Sequence, residues 1–332
     1  PPCPLYGACG GCAWQHIPLQ LQREFKLDIL RESFRHQLHV DSPLIQIHSS
    51  PGEGYRARAR MKPDSQGRLG FIRRRSHDIV PISECLLFCG PINTFLSGWN
   101  SDPPQMKRLR QADLLYSHHE ENLGLHLDTQ PNSVEMKELL GRFPNLLIGW
   151  PGKETVQRIA VPGAGVIYHA SAATFFQVNH FLWPVMLDTI SRNLPRQFSA
   201  LDLYSGVGFL IPPLLRGENA PMAVESHPLS VALARKTFPE LTILRSDTGH
   251  LKIPSQISLI VCDPPRSGLN EKTRRLINGS SADTLFIISC NPATLLRDIG
   301  DFRQNGWTLQ TMEAFDLFPH TPHLELFTRL TR

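Results

Sequence analysis

Between Leu201 and Ile288 five short apolar runs recur at intervals, at Leu201–Leu203, Met222–Val224, Thr242–Leu244, Leu259–Val261 and Leu285–Ile288, with helix-like segments between them. Each run ends in a polar or glycine-rich turn. Runs that are apolar at consecutive positions, rather than at every second one, are strands buried on both faces, as parallel strands are. Strands of that kind alternating with helices define a doubly wound α/β sheet. Two further strands are expected at Thr308–Phe315 and Leu324–Leu330, so the sheet accounts for residues 166–332.

The chain has 332 residues, enough for about two domains. No apolar run approaches the roughly 18 residues of a membrane span, and the Pro-Pro-Cys opening is unlike a secretory signal. A soluble, cytoplasmic protein is the expectation. Three regions are expected: 1–36, a Cys-rich segment leading into an amphipathic helix over about 18–36; 37–165, a mixed α/β region; and 166–332. In the first helix Leu19, Phe25, Leu27, Ile29, Leu30 and Phe34 recur at helical spacing. In the second region Arg56, Arg58, Arg60 and Lys62 fall on one face of an extended segment and Ala57, Ala59 and Met61 on the other. The turn Pro63–Gly67 makes a basic hairpin of it, followed by Arg73, Arg74 and Arg75. The net charge is only +4, but so local an excess of cations favours phosphate contacts over a merely solvated face. The polar stretch 117–138 reads as a loop or insertion.

The chemistry concentrates at the turns after the strands. Gly206-x-Gly208 follows the first, where backbone can approach a ligand at a helix start. Glu225, Asp247 and Asp263 follow the next three, where an open α/β sheet binds its ligand, and a carboxylate after the second strand suits ribose hydroxyls. With no triphosphate-binding lysine loop present, a nucleoside such as S-adenosylmethionine fits better than an NTP. Cys290, between an apolar strand and Asn291-Pro292, places a thiol at the same crevice. It needs a cation or helix start to become a nucleophile, and Arg266 and Arg297 are the candidates. Glu325, opening the last strand, is a candidate general base.

Seven cysteines cannot all pair, and Cys3, Cys9 and Cys12 stand close together among glycines. Three soft ligands need a fourth, for a cluster or for structural zinc.

Five ordered segments resemble one family, the RNA uracil-C5 methyltransferases that make 5-methyluridine with S-adenosylmethionine. They are Phe175-Phe-Gln-Val-Asn179, Leu201-Asp-Leu-Tyr-Ser-Gly-Val-Gly208, Asp263-Pro-Pro-Arg-Ser-Gly-Leu269, Ser289-Cys-Asn-Pro-Ala-Thr294 and Phe318-Pro-His-Thr-Pro-His-Leu-Glu325. The resemblance implies an α/β, Rossmann-like S-adenosylmethionine-dependent methyltransferase sheet with a smaller N-terminal α+β region carrying an iron-sulfur site. It implies Cys290 as nucleophile, Glu325 as base, and Gln177, Tyr204, Phe209, Glu225, Asp247 and Asp263 around the methyl donor. It departs from the family's frequent pattern at Ser205, where Cys is common, and at Phe209, where Asn is common. The branch acting on ribosomal RNA carries a [4Fe-4S] cluster, which implies Cys3, Cys9, Cys12 and a distant fourth ligand aligned with Cys85, with Cys89 the local competitor. The expected substrate is therefore a loop or extruded uridine of 23S ribosomal RNA, and the expected state a monomer lacking the OB-like domain many members carry before the cysteines. The alternatives are a tRNA uridine-C5 methyltransferase and a noncatalytic iron-sulfur RNA-binding protein.

Overall fold

The structure is a computed structural model and describes residues 1–332. The cysteine segment is irregular and leads into α1 (Leu19–Leu38), which ends at His39 in a left-handed conformation, and then β1 (Gln46–His48). The next region comprises β2 (Arg58–Pro63), β3 (Leu69–Ile72), β4 (Ile79–Pro81), α2 (Gly90–Ser101), β5 (Ala112–Ser117), β6 (Asn122–Leu127), α3 (Ser133–Arg142) and β7 (Leu146–Gly149). Its strands form a sheet of order β4-β3-β2-β5-β6-β7, antiparallel except for β6 and β7. Met61, Leu114 and Leu125 pack on Leu96 and Trp99 of α2. The basic hairpin is thus β2–β3, with Ala59 and Met61 buried and Arg60 and Lys62 exposed.

The stretch 117–138 is not a loop or insertion. It contains β6 and the start of α3, whose Asn132 and Glu135 close a capping box. Alternation is hidden because β5 is buried along its whole length, Asp113 included, and because Gly124 of β6 leaves room for the Gln157 side chain, which a Cβ would meet at 2.2 Å.

A hairpin, β8 (Gln157–Ala160) and β9 (Ile167–Ala170), leads to α4 (Trp183–Asn193). Then follow β10 (Ala200–Leu203), α5 (Ile211–Leu214), β11 (Met222–Glu225), α6 (Pro228–Thr237), β12 (Ile243–Arg245), β13 (Leu259–Cys262), α7 (Glu271–Asn278), β14 (Thr284–Ser289), α8 (Pro292–Gln304), β15 (Thr308–Phe315) and β16 (Glu325–Thr331). The large sheet has the order β1-β15-β16-β14-β13-β10-β11-β12, parallel except around β16, which runs against both neighbours. Leu201, Leu203, Ile260 and Leu285 face Leu295 and Leu296 of α8 on one side; Ala200, Val261 and Phe286 face Met186 and Ile190 of α4 on the other. The chain winds outward from β10 to β12 and returns at β13, so the strand order reverses between β10 and β13. Ligands of such sheets bind outside the carboxyl ends at that reversal.

Two features differ from the sequence expectations. First, β1 pairs in parallel with β15, Leu30 and Phe34 of α1 join the core beneath the large sheet, and the β8–β9 hairpin joins the core on its other face. The large sheet therefore recruits residues from both regions placed ahead of it. Second, α1 buries Gln22 and Lys26 along with Leu30 and Phe34, while Phe25 and Ile29 are exposed. The polar pair is buried because each member has partners on the segment 316–320, described below. No helix is long and apolar enough to cross a membrane.

Candidate active site and cysteine-lined cavity

Every strand end at the reversal carries a polar side chain. Beyond β10 the backbone turns through Tyr204 (φ 62°), Gly206 and Gly208 (φ 88°). At Gly208 a Cβ would lie 2.7 Å from the Phe238 ring, so only glycine lets the turn settle against that side chain. Glu225, ending β11, accepts the Gly206 N–H (2.9 Å) and the His227 N–H (2.7 Å), which fixes its carboxylate against the turn. Asp263, just past β13, accepts from Gln177 Nε2 at 3.2 Å, and burial raises its carboxyl to about 7. Gln177, Glu225 and Asp263 thus edge one crevice.

Three of the expected donor-binding residues stand differently. Asp247 follows the edge strand β12, is exposed, and accepts the Gly249 N–H at 2.8 Å. Tyr204 has its hydroxyl in a network with Thr248 and Thr273. Phe209 is a core residue between Tyr168 and Phe176. One residue was missed. Asp202, on β10, is fully buried, both its carboxylate oxygens lack a partner, and burial followed by the charges of Asp263 and Glu225 pushes its carboxyl far up. Buried orphan carboxylates demand a partner from outside the chain. The signal was present in the sequence as an acid inside an otherwise apolar strand.

Cys290 lies between β14 and α8. Antiparallel pairing of β14 with β16 sets Ser289 opposite Leu326. Cys290 and Glu325 are the next residues beyond that pair, at the same sheet end. Burial, then the Glu325 charge, raises the thiol; Arg266 opposes this by its charge and by a hydrogen bond. Glu325 is itself buried, and burial followed by the charge of Asp263 raises its carboxyl well above the usual range. Local sequence explains how Arg266 is held. Its carbonyl accepts from Asn291 Nδ2 (3.0 Å) and Thr294 Oγ1 (3.3 Å), so the Asn-Pro-Ala-Thr turn grips the Pro-Pro-Arg turn. Arg297, the other candidate cation, instead bonds Asp298 and the carbonyls of Ser267 and Leu269.

The segment before Glu325 is pinned from several sides. Lys26 Nζ donates to Asp316 Oδ1 at 2.6 Å and to the Phe318 carbonyl at 3.1 Å, with both side chains of the ion pair fully buried. Gln22 Oε1 accepts the His320 N–H at 2.8 Å, and the Tyr55 hydroxyl donates to the Pro319 carbonyl at 3.2 Å. The N–H groups of Ala13 and Trp14 both donate to the His320 carbonyl. The cysteine segment therefore touches the loop that delivers Glu325.

Cys3, Cys9, Cys12 and Cys85 line one cavity together with Arg56, Phe71 and Leu87. Cys89 stands at the cap of α2 and packs in the central core. Burial and then neighbouring Cys85 push Cys12 up to about 12. The Gly11 N–H donates to Cys9 Sγ at 3.3 Å. No three His, Cys, Asp or Glu side chains converge as the ligands of a single metal ion do. Cys3, Cys9, Cys12 and Cys85 nonetheless share one cavity, with the Gly11 N–H turned to the Cys9 sulfur. Arg56, expected on the RNA-facing side, lines this cavity instead. Arg60 pairs with Asp113 at 2.7 Å and Arg68 with Asp64 at 2.7 Å, so the free cations of the hairpin reduce to Lys62 and exposed Arg73, Arg74 and Arg75, with Arg58 over the Phe175 ring.

A doubly wound sheet with acids at its reversal point and a turn shaped for close backbone approach is the architecture of a Rossmann-like nucleoside-binding domain. The comparisons narrow this. The family model described as tRNA (Uracil-5-)-methyltransferase matches residues 250–332. A protein of Aquifex aeolicus described as an uncharacterized RNA methyltransferase is 31% identical over 98% of this chain and 82% of its own length. The 23S rRNA (uracil(1939)-C(5))-methyltransferase of Halomonas elongata is 28% identical over 98% of this chain and 75% of its own. The crystal structure of the Pyrococcus abyssi tRNA (uracil-54, C5)-methyltransferase in complex with S-adenosyl-L-homocysteine shares the fold, with a TM-score of 0.79, 22% identity, and coverage of 98% of this chain and 86% of that one. The chain belongs to the RNA uracil-5 methyltransferase family and is a methyltransferase enzyme that uses S-adenosylmethionine.

Proposed function

We propose that this enzyme methylates carbon 5 of a uridine in 23S ribosomal RNA through a covalent Cys290–uracil adduct, with Glu325 as the base that ends the reaction. The observation that carries this is the nearness of the two groups: Ser289 and Leu326 pair across β14 and β16, one residue short of Cys290 and Glu325, and the Glu325 charge acts on the thiol. Carbon 5 of uracil is a weak nucleophile. Addition of the Cys290 thiolate to carbon 6 leaves an enolate whose carbon 5 can accept a methyl group. S-adenosylmethionine, when bound, would supply that methyl from its sulfonium sulfur, the C–S bond breaking to leave the neutral thioether S-adenosylhomocysteine. Carbon 5 then bears both methyl and hydrogen. The Glu325 carboxylate removes that proton, the electron pair reforms the 5,6 double bond, and the thiolate leaves. Arg266 favours the thiolate by charge and hydrogen bond. A uracil within a helix cannot offer one face to a thiol and the other to a methyl donor, so the target is unstacked.

The donor fits the crevice by charge. Asp202, Glu225 and Asp263 converge there with two orphan oxygens on Asp202, and a ligand bearing ammonium and sulfonium charges meets that demand. Gln177 and Glu225 edge the same space, while Tyr204, Phe209 and Asp247 are assigned to the donor by the resemblance alone. Cys3, Cys9, Cys12 and Cys85 would hold a [4Fe-4S] cluster, which has no part in methyl transfer, since no electron moves. The 23S relatives, at 28% identity over nearly the whole chain, support ribosomal RNA. The family model, named for tRNA, favours a second reading with tRNA as substrate. The test is trapping. Anaerobically purified protein, S-adenosylmethionine and 5-fluorouridine-containing 23S ribosomal RNA or tRNA are run on a denaturing gel. Fluorine cannot leave as a cation, so the enzyme stalls as a protein–RNA adduct with its true substrate. An adduct with tRNA alone transfers the assignment to tRNA, and none with either removes the covalent Cys290 route.

A further inference from the structure

Beside the crevice a short column of rings climbs from the central sheet to the surface. Tyr116 of β5 is buried; His118 lies 4.8 Å from it, His180 is 4.4 Å from His118, and Phe181 is 4.1 Å from His180, all between ring centroids. Phe181 is 42% exposed, and His118 is exposed as well. Both the N–H and the ring Nδ1 of His180 point to the Tyr55 carbonyl, the ring nitrogen at 3.0 Å. Because a carbonyl only accepts, Nδ1 carries the hydrogen and the ring is fixed. Burial lowers His118, and burial followed by His118 lowers His180 to about 4, so the column is uncharged at neutral pH.

The column is continuous with the crevice. The segment that ends in His180 and Phe181 begins at Phe175 and carries Gln177, whose side chain donates to Asp263 and whose carbonyl accepts from Trp183 Nε1. Arg58 lies 5.5 Å over Phe175 and donates to the Phe176 carbonyl, which anchors the start of that segment. Rings packed for stability are covered; this column ends in an open face. Flat, uncharged rings are what an unstacked base requires.

We propose that His118, His180 and Phe181 form a stacking platform for an unpaired nucleotide next to the target uridine. The proposal rests on RNA being the substrate. When the target leaves its stack, its neighbours lose a stacking partner, and the platform replaces it.

The test measures binding of a fluorescein-labelled single-stranded oligoribonucleotide by anisotropy over a range of KCl concentrations, for the full chain and for Phe181→Leu, Phe181→Tyr and His118→Ala. Phe181→Leu keeps an apolar side chain without a flat face and is expected to bind about tenfold more weakly. Phe181→Tyr keeps the face and the wild-type affinity, and His118→Ala loses as Leu does. The slope of affinity against salt stays the same in all three, because no phosphate contact has been removed. Wild-type affinity in Phe181→Leu, a loss in Phe181→Tyr equal to that in Leu, or a loss accompanied by a shallower salt slope would each overturn the platform. Adduct trapping is read on the wild-type chain alone, so a wild type that binds RNA and forms no adduct removes the covalent Cys290 route while the binding comparison stands.

Discussion

At the scale of single residues, Cys290 and Glu325 share one difficulty: both must lose a proton to act, and both are shifted upward. The sign follows directly. Raising pH increases the thiolate fraction of Cys290 and the carboxylate fraction of Glu325, so turnover climbs from acid through neutral pH toward roughly pH 9 with no descending limb from either group. Single-turnover methyl transfer measured across that range checks this; a rate that falls between pH 6 and pH 8 contradicts it. Arg266→Leu removes the opposing cation and hydrogen bond, so the same rise moves to higher pH and the rate near pH 7 drops about tenfold or more. The two reacting groups fail at different stages. Cys290→Ala forms no adduct and still binds S-adenosylmethionine, whereas Glu325→Gln forms the adduct on ordinary uridine and holds it, visible as a slow-migrating band that wild type does not accumulate. Equal loss of donor binding in both variants would sink the roles given to them. Cys290 was legible in the sequence because it follows a strand whose apolar run marks its end, and Glu325 because it opens the last strand. Asp202 was not singled out, because an acid within such a run reads as part of the strand until burial shows its oxygens without partners. Arg297 was weighed equally with Arg266, since only the fold shows it turned toward Asp298.

At the scale of elements, α1 shows how a helix can be anticipated and its buried face mistaken. Spacing gave its extent within two residues, but Gln22 and Lys26 point inward while Phe25 and Ile29 stay exposed, because the partners of the polar pair lie some 290 residues away in sequence. No periodicity can encode that. The buried Lys26–Asp316 pair is a vulnerable joint, since removing one member strands the other charge. Lys26→Met is expected to cost about 3 kcal/mol in urea unfolding, and Lys26→Met with Asp316→Leu considerably less. A double variant as unstable as the single one would show that the site needs the charges themselves. The same joint positions the loop to Glu325, so the surviving folded fraction of Lys26→Met should also accumulate adduct. The central sheet was the least legible element for a related reason: Asp113 and Gln157 are buried polar groups whose partners come from other strands, and they erase the alternation of β5 and β6.

At the scale of the whole molecule, the cysteine-lined cavity lies where three parts of the chain meet. The N-terminal segment supplies Cys3, Cys9 and Cys12, the central region supplies Phe71, Arg56 and Cys85, and the backbone just past Cys12 donates through Ala13 and Trp14 to the carbonyl of His320 in the loop before Glu325. Residues 1–18 have no helix or strand of their own and only isolated bridges to the hairpin. Their backbone is held to the rest of the chain by bonds to Ile72, Arg74 and His320, and a bound metal group would add to that order. Four thiols bound to a common cluster would join the segment to the central region, and through His320 to the catalytic loop. The prediction separates Cys85 from Cys89, which sequence spacing alone could not. Cys85→Ser, purified anaerobically, should lose most of its iron and its visible absorbance, while Cys89→Ser should retain both, because Cys89 packs in the core at the cap of α2. Limited proteolysis should then cut residues 1–18 of Cys85→Ser well before the rest of the chain, and leave the same segment protected in Cys89→Ser. Iron retained in Cys85→Ser and lost in Cys89→Ser would exchange the two roles, and iron absent from the wild-type chain would remove the cluster from the assignment while leaving the methyl-transfer site intact, since no step there draws on it.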